Sequence, residues 1–398
     1  MPTAANSPSP VVVADKSRTL AIKGGTPVRA NPVPLISAGL TPEDIEAATA
    51  VLKSGMLRQG ARCAEFEKEF AALTDARHAL TCANGTCALQ LAYEPLFNAG
   101  DDVLVPAWTY IATASMIVAR GARPVFVESD PDTMCIDVAD AERRITPRTT
   151  AIAATHLYGN PVNIDGVQAL AKKRNFKVVY DAAQAHLATY HGKGIGAYGD
   201  AVTYSFYATK NISTGEGGMV TVNDDALAKQ IGLLRSHGET GKYLHESVGY
   251  NYRMTDVEGA IGLSQLRRAP ALTAQRRQNA NRLDALIGKI DGLQAPKATP
   301  GAEHSYHLYT VRLDVDRFGA TRDEFVAALQ SEGVQCAVHY PRSLTRQPAF
   351  SAFVTEHLPG ADRLAASVFC IPVHPALTER DIADIGEALA KVADALRR

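Results

Sequence analysis

The sequence predicts an α/β protein with a large domain, built on a mostly parallel central sheet flanked by helices, and a smaller α+β C-terminal domain. From HALTCA onward, short runs that are apolar throughout alternate with helical patterns, which is typical of parallel strands covered on both faces. After about residue 255 this pattern gives way to long helices and a few strands. The 398 residues also exceed the usual size of one compact domain.

These patterns divide the chain into a flexible N-terminal tail over residues 1–20, the large domain over 21–262 and the small domain over 263–398. The tail is rich in Pro, Ser and Ala and lacks the long apolar core of a secretion signal. The six cysteines form no CxxC pair, so we expect reduced thiols, no metal site and a cytoplasmic protein. A formal net charge of -1 favours neither nucleic acid nor a membrane surface as partner.

The first predicted element is a helix in TPEDIEAATAVLKSG, capped by Thr41 with Asp44 at the capping-box position and ended by Gly55. Its apolar stripe is expected to face the core and consists of Ile45, Ala48 and Leu52. The strand candidates that follow are HALTCA, DDVLVP, RPVFVES, TTAIAATHL, KVVYDAA and DAVTYSFYA.

The C-terminal part begins with a long helical pattern that starts at TDVEGAIG and is expected to break or bend near Pro270. Helices are then predicted in TRDEFVAALQSEG and TERDIADIGEALAKVADALRR. The predicted strands of this part are HSYHLYTVRLDV, VQCAVHYP and SVFCIPVHP.

Residues that follow the strands are the functional candidates, because ligands of open α/β sheets bind outside the carboxyl ends of the strands. After HALTCA, Asn84-Gly85-Thr86 leads into a helix, so Gly85 and Thr86 can present free amides to a phosphate. The alternative is a plain tight turn in which Thr86 is the N-cap of the helix. Trp108, the single tryptophan, follows DDVLVP and either stacks on a flat ring or belongs to the core.

Two further strand ends carry charged residues. Asp181 and Gln184 follow KVVY, where an acid needs a cationic partner or a helix-capping role. Lys210 follows DAVTYSFYAT, five residues after Ser205, and a glycine-rich turn over residues 215–218 holds it at a rigid junction. A phosphate site, an aromatic platform, a carboxylate and an amine together are what pyridoxal 5'-phosphate (PLP) requires.

The chain resembles the DegT/DnrJ/EryC1/StrS aminotransferases, which have the fold of type I PLP-dependent transferases. The resemblance runs from GGTPVR to HPALTERDIADI and rests on the motifs NGTCALQLA, PAWTYIATA, HLYGNPVNID, DAAQAH, SFYATKNISTGEGGMV, RSHG and GYNYRMTD. It implies an amine transfer from an amino acid, commonly L-glutamate, to a keto-sugar, usually nucleotide-linked, with pyridoxamine 5'-phosphate as the amine carrier.

The resemblance also implies residue roles. Lys210 would condense with the cofactor aldehyde and move protons, and Asp181 would pair with the ring nitrogen. Gln184 would bind the phenolic oxygen, and Trp108 would stack on the ring. The phosphate would be held by Ser205, Gly85 and Thr86, and by Asn251 of a second copy, which implies a homodimer with shared active sites. His339 and Tyr340 are candidates for lining the acceptor entrance.

Departures from the family pattern concern the surroundings of the cofactor and the acceptor. Leu187 stands where glycine is usual, and Ser343 and Thr345 replace the usual Pro and His of a loop near the substrate entrance. Family members with an N-terminal GGTPVR include cyclitol aminotransferases, so an inosose-type ketocyclitol stays open as the acceptor. A regulatory homologue that binds PLP without catalysis is a further alternative. A nicotinamide enzyme is disfavoured, because Gly194-Ile-Gly196-Ala-Tyr-Gly199 leads into a predicted strand and not into a helix.

Overall fold

A seven-stranded sheet forms the centre of the molecule. The computed structural model of the chain describes residues 19–37 and 39–398, so nearly all of the tail predicted for residues 1–20 lies outside the described residues. The strands are β1 His78–Cys82, β2 Asp102–Pro106, β3 Arg123–Val127, β4 Thr149–Thr155, β5 Lys177–Asp181, β6 Ala201–Ser205 and β7 Gly218–Val222. Their spatial order is β1-β7-β6-β5-β4-β2-β3.

Six of these strands run in one direction, and β7 runs against its neighbours β1 and β6. The mostly parallel sheet predicted from the sequence is therefore confirmed. Because the carboxyl ends of the parallel strands meet at one edge, the segments after β1, β2, β5 and β6 are brought together there. In register, Asp181 at the end of β5 lies between Thr155 of β4 and Thr203 of β6.

Helices cover both faces of the sheet. They are α1 Pro42–Ser54, α2 Ala61–Leu73, α3 Gly85–Leu96, α4 Ile111–Ala119, α5 Val138–Arg143, α6 Ile164–Arg174, α7 Asp225–Arg235 and α8 Asp256–Ile287. Alternate strand residues enter two separate apolar cores, with Val103 and Val105 on the side of α3 and Leu104 on the side of α2. This is the burial on two faces that continuous apolar strands indicate.

Two helix predictions need correction. At the start of α1, Asp44 Oδ2 accepts the Thr41 amide over 2.9 Å, which is one of the two hydrogen bonds of the predicted capping box. Ile45 and Leu52 are 55% and 57% exposed, so the predicted stripe does not face the core of this chain. α8 is one continuous helix with Pro270 inside it, so of the predicted break or bend the break does not occur. α8 also crosses the boundary predicted between residues 262 and 263, which stays a prediction.

The C-terminal part packs around a third core. Its strands β8 Leu293–Gln294, β9 Tyr309–Leu313 and β10 Val368–Ile371 are antiparallel, and its helices are α9 Arg322–Ser331, α10 Pro359–Ser367 and α11 Glu379–Leu396. Leu20 and Val33 from the start of the described chain pack into this core. The strand predicted in VQCAVHYP is wrong, because that segment makes only the isolated bridges Val33 to Val334 and Ala337 to Cys370.

Short elements complete the fold. Thr189–Tyr190 pairs with Lys193–Gly194 and with Ala302–Glu303, and Glu239–Gly241 pairs with Leu244–His245. The 3-10 turns are Ala21–Lys23, Leu157–Gly159, Ile195–Ala197, Leu344–Arg346 and Pro348–Phe353. The segment 194–199, with its three spaced glycines, leads through the 3-10 turn Ile195–Ala197 into β6 and is not followed by an α-helix. Among residues 19–37 and 39–398, no helix is long and apolar enough to cross a membrane.

Candidate active site

Lys210 lies in the turn between β6 and β7, and backbone hydrogen bonds fix that turn. The Lys210 amide donates to Tyr207 O over 2.8 Å, and the Thr214 amide donates to Phe206 O over 2.9 Å. Gly215 and Gly217 have φ values of 87° and 154°, which side chains strongly disfavour. A Cβ on Gly217 would lie 2.3 Å from Thr214 Oγ1. The rigid junction predicted for Lys210 is confirmed.

The electrostatic environment of Lys210 favours a reactive amine. Burial lowers the pKa of Lys210 to about 8, and the negative charge of Asp181 acts in the opposite direction. Asp181 is 4% exposed. Burial raises the pKa of this carboxyl, while hydrogen bonds and the charge of Lys210 lower it. The lysine and the aspartate predicted from separate strand ends are therefore electrostatically coupled.

A set of buried hydroxyl groups supports Asp181. Thr113 Oγ1 donates to Asp181 Oδ2 over 2.6 Å, and the Ala183 amide donates to Asp181 Oδ1 over 3.0 Å. Behind Thr113, Thr109 Oγ1 donates to Thr155 Oγ1 over 2.9 Å. These donors fix the orientation of the carboxylate and favour its charged form. The threonine hydroxyls were not among the predicted site residues, because only the tertiary fold brings α4 against the end of β5.

Gly85 and Ser205 form a narrow cradle at the start of α3. A Cβ on Gly85 would lie 2.7 Å from Ser205 Cβ and 3.1 Å from Ser205 Oγ. The side chain of Asn84 accepts the amide of Cys87 over 2.9 Å. The helix geometry leaves the amides of Gly85 and Thr86 without intrahelical acceptors. The cap is therefore Asn84 and not Thr86, and the two free amides and Ser205 Oγ fit an anion such as a phosphate.

The aromatic residues after β2 differ from the prediction. Trp108 is only 1% exposed, and its ring meets Tyr340 edge-on at 6.0 Å between centroids. An indole this deeply buried has no open face, so a stacked ring on Trp108 is not supported. Tyr110, two residues further on, is 54% exposed and lies 5.9 Å from the ring of Tyr340. Tyr110 is thus the accessible aromatic at this strand end.

Gln184 connects three segments at the same edge. Its Oε1 accepts the amide of Tyr158 over 2.7 Å, and its Nε2 donates to Tyr340 OH over 2.9 Å. The Tyr158 hydroxyl donates to the carbonyl of His339, and the His339–Tyr340 peptide is cis. The two acceptor-entrance candidates are therefore tied to Gln184. Among the described residues no hydrogen bond engages the second N–H of Gln184, so it can donate to a ligand oxygen.

Asn251 is an exposed residue. It makes an isolated bridge to Ser236, and the next residue, Tyr252, accepts the amide of Ala83 through its carbonyl over 2.8 Å. Within the described residues, no hydrogen bond joins Asn251 to Gly85 or Ser205. Its predicted role toward the phosphate of a second copy stays a prediction.

The positions that depart from the family pattern have local explanations. Leu187 has a φ of 56°, a conformation that favours glycine, and its carbonyl accepts Arg277 Nη2 over 3.1 Å. Ser343 Oγ lies 3.0 Å from Thr345 Oγ1 and donates to Asp362 Oδ1 over 2.7 Å. Both hydroxyls therefore stabilise the loop after His339 and Tyr340.

The residues at this edge fit PLP. The cradle of Gly85 and Ser205 has no room for a Cβ at position 85, and it suits the phosphate of PLP. Asp181 suits a protonated ring nitrogen. Lys210, with a lowered pKa, suits condensation with an aldehyde. Tyr110 offers an aromatic surface in place of Trp108.

Comparison with known proteins agrees with this geometry. The DegT/DnrJ/EryC1/StrS aminotransferase family model matches residues 39–390, and the chain belongs to that family. The protein is therefore an aminotransferase.

Among its relatives, GDP-perosamine synthase of Caulobacter vibrioides is 39% identical over 82% of this chain and 89% of the relative. A pleiotropic regulatory protein of Geobacillus stearothermophilus is 36% identical over 88% of this chain and 95% of the relative.

Two solved structures share the architecture over 92% of this chain. DesV of S. venezuelae, solved in complex with a ketimine intermediate, has a TM-score of 0.88 at 33% identity and covers 92% of this chain and 99% of its own. Spr1654 of Streptococcus pneumoniae, solved in a PLP form, has a TM-score of 0.85 at 28% identity, and the match covers 92% of this chain and 99% of the Spr1654 chain. The predicted fold class is confirmed.

Proposed function

We propose that the protein is a PLP-dependent aminotransferase that moves the amine of an amino acid, L-glutamate, to a nucleotide-linked keto-sugar. The observation that carries the proposal is the electrostatic coupling of Lys210 and Asp181 at the sheet edge that also holds the Gly85–Ser205 cradle. Family membership supports the amine transfer, and the PLP form of Spr1654 supports the cofactor. The similarity to GDP-perosamine synthase supports a nucleotide-linked acceptor.

The chemistry follows from the residues at this edge. When bound, PLP supplies an aldehyde that accepts an amine and a protonated ring that withdraws electrons. Lys210, whose pKa is lowered to about 8, is partly neutral near neutral pH and can accept the proton released at the donor α-carbon. Asp181 supplies the negative charge that holds a cationic ring nitrogen, and Thr113 keeps its carboxylate oriented. The free amides of Gly85 and Thr86, with Ser205, would bind the phosphate.

The proposal includes a homodimer with shared active sites, located in the cytoplasm. Large apolar side chains are exposed on α1 and its C-terminal loop and near the short strands that precede Asn251, namely Ile45, Leu52, Met56, Tyr243, Leu244 and Val248. Exposed apolar surface of this kind is typical of a protein interface. If the sites are shared, mixing Asn251→Ala with Lys210→Ala subunits should give mixed dimers that each have one competent site. An active monomer would contradict the proposed dimer with shared sites. The free state of all six cysteines is consistent with a cytoplasmic location.

Transfer of labelled nitrogen tests the function. The holoenzyme is incubated with ¹⁵N-glutamate and a panel of nucleotide-linked keto-sugars and ketocyclitols, and products are analysed by mass spectrometry. The expected result is a labelled amino sugar with release of 2-oxoglutarate. A labelled aminocyclitol alone would replace the acceptor class by the inosose type. Cofactor binding without any nitrogen transfer would favour the regulatory alternative.

A further inference from the structure

Arg276 differs from the other arginines of α8. The helix carries five arginines, and four of them lie within 4 Å of a carboxylate oxygen: Arg267 with Glu65 and Glu69, Arg268 with Asp44, Arg277 with Glu303 and Arg282 with Glu379. In the described part of the chain, Arg276 has no such carboxylate partner. Its guanidinium therefore keeps its positive charge without a counter-ion from these residues.

The surroundings of Arg276 make this unpaired charge unusual. Arg276 Nη1 donates to the carbonyl of Tyr306 over 3.2 Å, and burial lowers the pKa of Arg276 to about 10. A partly buried cation without a counter-ion is costly. Such an arrangement is stabilised when an anionic ligand binds, and the planar guanidinium is well suited to a carboxylate.

His307 directly follows Tyr306, whose carbonyl accepts Arg276 Nη1. It is 8% exposed, and its Nδ1 atom is buried without a hydrogen-bond partner among the described residues. Burial lowers the pKa of His307, and the positive charges of Lys210 and Arg276 lower it further. The imidazole therefore belongs to a segment that contacts the unpaired guanidinium through the Tyr306 carbonyl.

The segment that carries His307 is held rigidly beside the Lys210 turn. Asn211, the next residue after Lys210, donates through Nδ2 to the carbonyl of Ser305 over 3.2 Å. On the other side, Gly159 packs so closely that a Cβ there would lie 2.9 Å from the Tyr306 amide and 3.0 Å from the His307 amide. This packing explains why the strand predicted to start at His304 begins only at Tyr309. Tyr306 also has a φ of 49°, and strained backbone of this kind is often found at functional sites.

We infer that Arg276 and His307 form a carboxylate subsite next to Lys210, and that this subsite takes a carboxylate of the amino donor. The inference rests on the proposed function and deepens it. An amino-acid donor brings its carboxylate close to the carbon from which Lys210 takes the proton. A nucleotide-linked acceptor carries its negative charge on phosphates, which are the other source of an anion for this subsite.

Separate half-reactions distinguish these two sources. Arg276→Gln is expected to raise the KM for L-glutamate in the first half-reaction at least tenfold and to leave the KM for the keto-sugar in the second within twofold. Arg276→Lys should recover part of the loss. Arg282→Gln, which removes an exposed arginine of the same helix, is the matched control and should leave both KM values unchanged. Glutarate binding to the holoenzyme, measured by calorimetry, should weaken tenfold or more in Arg276→Gln and measurably in His307→Asn.

Several outcomes would overturn the subsite. Unchanged KM for glutamate and unchanged glutarate affinity in Arg276→Gln would do so, and a rise only in the keto-sugar KM would assign Arg276 to the acceptor phosphates. If Arg276→Gln fails to fold by circular dichroism, the decision falls to Arg276→Lys and His307→Asn, where wild-type values for both ligands would refute the inference. If the wild type transfers no amine but still binds glutarate through Arg276, the proposed function fails while the subsite stands.

Discussion

Gly85→Ala tests the phosphate cradle, because the structure leaves no room for a side chain at this position. The added methyl carbon would lie 2.7 Å from Ser205 Cβ, whereas carbon atoms in contact are about 3.5–4.0 Å apart. Either α3 or the end of β6 must therefore move by roughly 1 Å. Both elements contribute to the cradle, so the movement displaces the predicted phosphate ligands.

The size of the effect follows from this overlap. Overpacking of a buried contact costs about 1–3 kcal/mol, and each 1.4 kcal/mol is about a tenfold change in affinity. Phosphate binding requires the cradle in its original geometry, so the bound state carries this cost, and PLP affinity of the cofactor-free protein is expected to fall by about tenfold to a hundredfold. Absorbance titration with PLP measures the affinity, and thermal unfolding reports the accompanying loss of stability.

Two comparisons isolate the steric cause. Gly232→Ala places a methyl group in α7 at 3.5 Å from Leu80 Cδ2, which is an ordinary contact, and this control should keep wild-type PLP affinity. In a Ser205→Gly background the clashing Cβ is absent, so adding Gly85→Ala should cost much less than in the wild type. Wild-type affinity in the single variant Gly85→Ala would refute the reasoning about the cradle.

Three further predictions concern titratable groups. Thr113→Val removes a hydrogen-bond donor that lowers the pKa of Asp181. The acid limb of the pH–rate profile of the glutamate half-reaction should therefore move to higher pH by about one unit. Thr113→Ser should leave the acid limb in place, and an unmoved limb in Thr113→Val would contradict the prediction. In cofactor-free protein, labelling of Lys210 by trinitrobenzenesulfonate should follow a pKa of about 8, and a midpoint near 10 would count against a buried amine. Burial lowers the pKa of His156, His186 and His304 to about 3. The folded protein therefore binds their protons less readily than the unfolded chain, and stability is lost as pH falls below about 6.5. The free energy of unfolding in urea should be roughly 4 kcal/mol lower at pH 5.5 than at pH 7.5, and equal values would contradict this prediction.

The sheet and the chemical groups at its edge could be predicted because each depends on local sequence. Runs that are apolar on both faces identified the parallel strands, and an acid at the end of such a run marked Asp181. The glycines around residues 215–218 marked the turn of Lys210. Each of these signals comes from a few neighbouring residues and their backbone or burial requirements.

Other features depend on contacts between distant segments and were predicted wrongly or not at all. Trp108 and Tyr110 are two residues apart and both contact Tyr340, and only the packing of the whole folded chain buries Trp108 and leaves Tyr110 exposed. The pattern of α1 predicts a core-facing stripe, but Ile45 and Leu52 remain exposed in the single chain. Arg276 stands out only after the partners of the other four α8 arginines are known.

Borohydride reduction of the protein with bound PLP, followed by peptide mapping, tests the central assignment most directly. A stable pyridoxyl group is expected on the peptide that contains Lys210, at about one group per chain. Lys210→Ala should abolish the label while keeping the fold by circular dichroism. A label on any other lysine, or no label in a protein that transfers amines, would contradict the assignment of Lys210.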